Sequence, residues 1–133
     1  MQGGAFLKYL PEGTDWCEIE KGRNFFEFRK KVDWIVTNPP FSKLTAFLIH
    51  SMKYADNIVF LINTPALFTT KRIREIRYNG FGIKEILFVK HPETFVQTGR
   101  QPGAVHLVRG YKESCCKFTY ADNFNAPYRN AKK

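Results

Sequence analysis

Val32-Asp33-Trp34-Ile35-Val36-Thr37-Asn38-Pro39-Pro40-Phe41-Ser42 decides how this chain is read. An apolar run of strand character ends abruptly in an amide, two consecutive prolines and an aromatic ring. Each proline fixes its φ, removes a backbone donor and pushes the residue before it towards an extended conformation. The segment is therefore predicted to be stiff and rich in acceptors. The Asn38 side-chain carbonyl and the main-chain carbonyls of Asn38 and Pro39 have few local donors to satisfy them.

Downstream of this stretch, Leu44, Phe47, Leu48, Ser51 and Met52 recur at helical spacing, which predicts an amphipathic helix over residues 42–55 with Ser42 as its N-cap. Residues 57–63 form a short, continuously apolar run, as expected of a buried parallel strand. A second helix is predicted over 69–78, ended by Asn79-Gly80, followed by strands at 83–89 and 104–108. The polar stretch 91–103, which contains glycine and proline, joins those two strands. Upstream, residues 4–10 read as a helix, 11–14 as a turn and 15–19 as a strand. Residues 117–133 show no clear period and read as a short strand or a mobile basic tail. Alternating strands and helices predict an α/β fold, a mostly parallel sheet with helices on both faces. In such a sheet ligands bind beyond the carboxyl ends of the strands, which is where Asn38-Pro39-Pro40-Phe41 falls.

Bulk composition bounds the partners. A chain of 133 residues, 44% hydrophobic and 16% aromatic, is long enough for one domain with a core of its own. Lys and Arg outnumber Asp and Glu by 21 to 12, and the formal charge of +9 favours a polyanion such as nucleic acid. On charge alone, a merely basic soluble surface fits equally well. The densest basic group is Lys71-Arg72-Ile73-Arg74-Glu75-Ile76-Arg77. Cys17, Cys115 and Cys116 are odd in number, with two adjacent, and suit neither a disulfide framework nor a zinc site with paired spacing. Reduced thiols and a cytoplasmic location are expected. No signal peptide is visible, and no apolar run approaches the roughly 20 residues of a membrane span.

A rigid pair of acceptors beside an aromatic face suits a planar group bearing an NH2. The ring stacks on Phe41, and two hydrogen bonds hold the amine. Accepting from both N–H groups draws the nitrogen out of conjugation with its ring and directs its lone pair outward, so that it can attack a methyl donor.

Asn38-Pro39-Pro40-Phe41 after a hydrophobic strand resembles the catalytic motif of the S-adenosylmethionine-dependent adenine-amino DNA methyltransferases. The resemblance implies a Rossmann-like methyltransferase sheet over residues 1–116, with residues 91–103 lying within an antiparallel terminal pair of strands. Gly3-Gly4-Ala5-Phe6-Leu7 resembles the tail of the family's glycine-rich cofactor loop. Glu18 matches the acidic residue that accepts from the ribose hydroxyls. Gly22-Arg23-Asn24-Phe25-Phe26 resembles the motif that contacts the cofactor's adenine, with Asn24 where the family usually has Asp. The implied cofactor set is Gly3, Gly4, Phe6, Glu18 and Asn24, around S-adenosylmethionine, with no metal.

Relative to this family the chain starts inside the cofactor loop: Met1-Gln2 stands where the first strand and its acidic residue normally lie. That strand sits centrally in the family's sheet, so it is expected to be missing here. The gap is expected to close by pairing of 15–19 with 32–37, or by recruiting the edge of a second copy into a homo-oligomer. Weak cofactor binding, or none, would follow.

The expected function is methyl transfer to the exocyclic amine of adenine in DNA. Asn38, Pro39, Pro40 and Phe41 form the catalytic set, and Lys71, Arg72 and Arg74 meet phosphate. DNA is expected over RNA. An rRNA base or a protein glutamine presents the same NH2 and remains an alternative, as does a truncated, non-catalytic remnant that binds nucleic acid.

Overall fold

The computed structural model describes residues 24–90 and 100–122. Met1–Lys31 and Val32–Lys133 form two compact units. Of the first, the described part is a 3-10 turn, Phe25–Glu27, capped by the Asn24 side chain, which accepts from the Phe26 N–H at 2.9 Å. The helix, turn and strand expected over 4–10, 11–14 and 15–19 lie outside the described residues, and so does the strand-to-strand closure expected of 15–19.

The second unit is a mixed α/β fold, a five-stranded sheet flanked by helices. Its strands are β1 (Val32–Thr37), β2 (Ala55–Asn63), β3 (Phe81–Phe88), β4 (Pro102–Arg109) and β5 (Lys117–Tyr120), in spatial order β1-β2-β4-β3-β5. The helices are α1 (Leu44–Tyr54) and α2 (Thr70–Tyr78). β1 runs parallel to β2, and β5 parallel to β3. β4 returns between β2 and β3, antiparallel to both. The described sheet is thus half antiparallel rather than mostly parallel. The sequence between β3 and β4 carries no helical period, and parallel neighbours need a crossover of about a dozen residues or more, usually a helix. β5 occupies the start of the segment for which the sequence left strand and tail open.

Apolar spacing explains the packing. Leu44, Leu48 and Met52 recur every four residues and are buried on one stripe of α1, together with Ser51. They meet Ile58 and Phe60 of β2, Val105 and Leu107 of β4, and Phe81 and Ile86 of β3 in one core. Leu67 and Ile76 complete it from the other connection and from α2. Phe60 is fully buried, and truncating such a ring to alanine typically costs about 3–5 kcal/mol. The Ser51 hydroxyl, buried in this stripe, has no hydrogen-bond partner among the described residues.

The start of α1 differs from expectation. Ser42 is not its N-cap: Phe41–Lys43 form a 3-10 turn, Lys43 takes the cap position, and no side chain caps the helix. The carbonyl of extended Pro40 (φ −64°, ψ 141°) accepts from the Lys43 N–H at 3.0 Å, and the Phe41 carbonyl accepts from the Leu44 N–H, a donor that a serine cap at 42 could have taken. α2 begins as the sequence predicts, with the Thr69 hydroxyl accepting from the Arg72 N–H at 3.2 Å. It ends at Asn79-Gly80, where Gly80 adopts φ 79°, a region only glycine enters freely.

Arg109 closes the far end of α1. Its Nη2 donates to the carbonyls of Met52 (2.7 Å) and Ala55 (3.0 Å), its Nε donates to Asp56 Oδ1 (2.6 Å), and the guanidinium lies 4.7 Å from the Phe81 ring centroid. On the sheet, Trp34 stacks on His106 with centroids 4.9 Å apart. Asn57 donates through Nδ2 to the Asp33 carbonyl, so its Oδ1 is the atom that faces His106 Nε2 at 3.1 Å and accepts from it. Burial, and secondarily the charge of Lys84, lower the His106 pKa against the weaker pull of Glu85. No described helix is long and apolar enough to cross a membrane.

Candidate active site

Because β1 and β2 are parallel, the chain leaves both at the same end of the sheet, and the two connections that follow lie side by side there. After β1 comes Asn38-Pro39-Pro40-Phe41. Pro39 is buried, while Asn38, Pro40 and Phe41 are exposed. The first proline thus seats the segment, and the residues that carry polar or aromatic chemistry face outward. Phe41 is 71% exposed, far beyond what an anchoring ring requires. No described residue hydrogen-bonds the Asn38 side chain, and the carbonyls of Asn38 and Pro39 take up none of the loop and turn bonds. Of the acceptors expected to lack partners, the Asn38 side chain is exposed and has none among the described residues.

After β2 comes the 3-10 turn Thr64–Leu67 and then α2. One side chain joins the two connections. Arg72 donates from Nε to Thr45 Oγ1 on α1 at 2.9 Å and from Nη1 to the Ala66 carbonyl, and its guanidinium carbon lies 5.9 Å from the centroid of the Phe41 ring. That is within reach of a cation–π contact. No described carboxylate pairs with it.

The strands that meet at this end are pinned by Gln101. Its backbone N–H donates to Asn63 Oδ1 (2.8 Å), its carbonyl accepts from the Thr64 N–H and hydroxyl, and its side chain donates to the carbonyls of Val89 and Pro102. Gly103 follows, so close to the Leu87 carbonyl that a Cβ there would stand 2.6 Å from it.

Of the other residues singled out by sequence, Lys71 and Arg74 are exposed on α2, whereas Arg72 is half-buried and engaged as described. Gly3, Gly4, Phe6 and Glu18 lie outside the described residues. Asn24 is described, as the cap of its own turn. Sequence reasoning missed Thr45, Ala66 and Gln101. For Thr45 and Gln101 the partners stand far along the chain, 27 residues away for the Thr45–Arg72 bond and 38 for Gln101–Asn63, and no local pattern records such a separation.

No protein-family model matches the chain, and no curated protein does. Solved structures do match. PH1948 of Pyrococcus horikoshii, provisionally assigned as an RNA methyltransferase, is 19% identical with a TM-score of 0.47, over 68% of this chain and 48% of that one. M1.HpyAVI in complex with SAM is 18% identical with a TM-score of 0.44, over 76% of this chain and 62% of that one. The chain spans less than two thirds of the length of either structure.

Proposed function

We propose that this chain belongs to an S-adenosylmethionine-dependent methyltransferase acting on the exocyclic amine of a nucleic-acid base, adenine in DNA first. The observation that carries the reading is the exposed, unbonded Asn38 side chain, next to Pro39 and held rigid at the carboxyl end of β1 beside the open ring of Phe41. In this reading Phe41 stacks on the base, and Asn38 Oδ1 and the Pro39 carbonyl accept from the two amine hydrogens. Both prolines keep those acceptors from relaxing away. Holding both hydrogens takes the nitrogen's lone pair out of the ring system and makes it a nucleophile. The amine proton leaves to water afterwards, so no strong general base is required of the chain.

When bound, S-adenosylmethionine supplies a methyl group on positively charged sulfur. Gly3, Gly4, Phe6 and Glu18 are assigned to hold it together with Asn24. Asn24 fits: its Oδ1 accepts one bond within its own turn, and a carbonyl oxygen can accept a second, here from the cofactor's adenine amine. The formal charge of +9 supports nucleic acid over a protein glutamine as substrate, with the exposed Lys71 and Arg74 as phosphate contacts.

Tritium transfer from labelled S-adenosylmethionine to adenine-rich duplex DNA, to RNA and to a glutamine-rich protein tests the reading, with Asn38→Ala beside the parent. Transfer to DNA that falls about a hundredfold or more in Asn38→Ala, at unchanged thermal stability, is the expected result. Equal rates in the two proteins remove Asn38 from the mechanism. Transfer to RNA or protein alone moves the substrate to that class.

A further inference from the structure

We infer that Arg72 is a positioning residue: it holds Phe41 as a stacking platform by latching the β1–α1 connection to the β2–α2 connection. Its stacking role rests on the methyl-transfer reading; the latch itself does not. An exposed phenylalanine on a surface turn has no packing of its own to fix it, and Phe41 is 71% exposed. The Arg72 guanidinium approaches it, 5.9 Å from its centroid and within cation–π reach. That guanidinium is fixed independently of the ring, by Thr45 Oγ1 on one side and the Ala66 carbonyl on the other.

The arrangement needs arginine. A planar fork reaches a hydroxyl, a carbonyl and a ring face at once, whereas a lysine ammonium is a single point on a flexible stem. It also leaves the cation without a described carboxylate partner, so the ring is polarised by an unneutralised charge. A planar base stacked on the open part of Phe41 would then lie between positions defined by both connections. Arg72 acts through Phe41 in this scheme and is not itself a phosphate contact.

The experiment places 4-trifluoromethyl-phenylalanine at position 41 and follows its fluorine resonance in Arg72→Lys, in the near-isosteric Thr45→Val, and in Arg77→Lys as a control on the same helix. Thermal melting checks that each variant is folded. Arg72→Lys and Thr45→Val should both shift the resonance, the former more, and Arg77→Lys should not. An unchanged resonance in both Arg72→Lys and Thr45→Val overturns the latch.

With natural phenylalanine at 41, Arg72→Lys should lower kcat about tenfold while KM for the nucleic acid changes less than twofold, since misplacing a bound base costs rate more than binding. A raised KM with unchanged kcat, and a salt slope smaller by about one, would instead make Arg72 a phosphate contact and overturn the positioning role. If the resonance shifts as expected but the parent protein transfers no methyl group to any substrate, the latch stands and the methyl-transfer reading falls.

Discussion

Two arginines hold opposite ends of one sheet, and they are used differently. At the amino end of β1 and β2, Arg109 satisfies two carbonyls at the close of α1, pairs with Asp56 and covers Phe81, a ring that is 2% exposed. At the carboxyl end, Arg72 likewise approaches a carbonyl and a ring, but it meets a hydroxyl where Arg109 meets a carboxylate, and its ring is open to solvent. One end is closed in charge and in packing. The other leaves a cation without a described carboxylate and an aromatic face open to solvent, neither of which adds much to stability.

The largest effect that separates the two ends is expected from Arg109→Ala. It strips the α1 carbonyls of charge-assisted bonds and should cost about 2–3 kcal/mol of stability, read from denaturant unfolding, with methyl transfer per folded molecule unchanged. A loss below about 0.5 kcal/mol would show that the closed end is not the structural one. Phe41→Ala makes the converse claim. Losing one base-stacking ring is worth about 1–3 kcal/mol in binding or rate, so transfer should fall roughly tenfold or more while the melting temperature moves little. A variant that melts well below the parent would make Phe41 a packing residue and dissolve the contrast.

The smallest effect concerns His106, which belongs to neither end. Its folded pKa lies below the ordinary 6.5, with burial the first cause, so the unfolded chain binds more protons in the window between the two values. The neutral ring's contribution is therefore fully present above pH 6.5 and is lost as pH falls through the folded pKa. Unfolding measured from pH 7.5 downward should show stability declining from about pH 6.5, and His106→Gln should flatten that part of the slope. An unchanged slope would exclude His106 as the titrating group.

What was legible in the sequence was local. The apolar run into two prolines located the end of β1, because proline acts on its own φ and on its neighbour. Thr69 and Asn79-Gly80 bounded α2 for the same reason. Ser42 misled because a competing backbone acceptor, the Phe41 carbonyl, already takes the Leu44 N–H. The return of β4 between β2 and β3, the parallel docking of β5 on β3, and the Arg72 and Gln101 bonds depend on residues tens of positions apart. Hydrophobic period gives their strands but not their neighbours. The cofactor assignments drew on the resemblance, and all but Asn24 fall outside the described residues.

The place of β4 also governs how the chain comes together in time. β2 and β3 leave the ribosome in sequence, but they are not neighbours, and the slot between them stays empty until Pro102–Arg109 has been made. Until then two apolar strands each display an unpaired edge, which invites association with other chains. Filling the slot joins partners as distant as Asn57 and Val108, so the step that joins the two halves of the sheet is also the one with the highest loop-closure cost. Folding should therefore be slow and limited by β4, and a nascent chain stopped short of β4 should be a substrate for chaperones rather than a smaller folded domain.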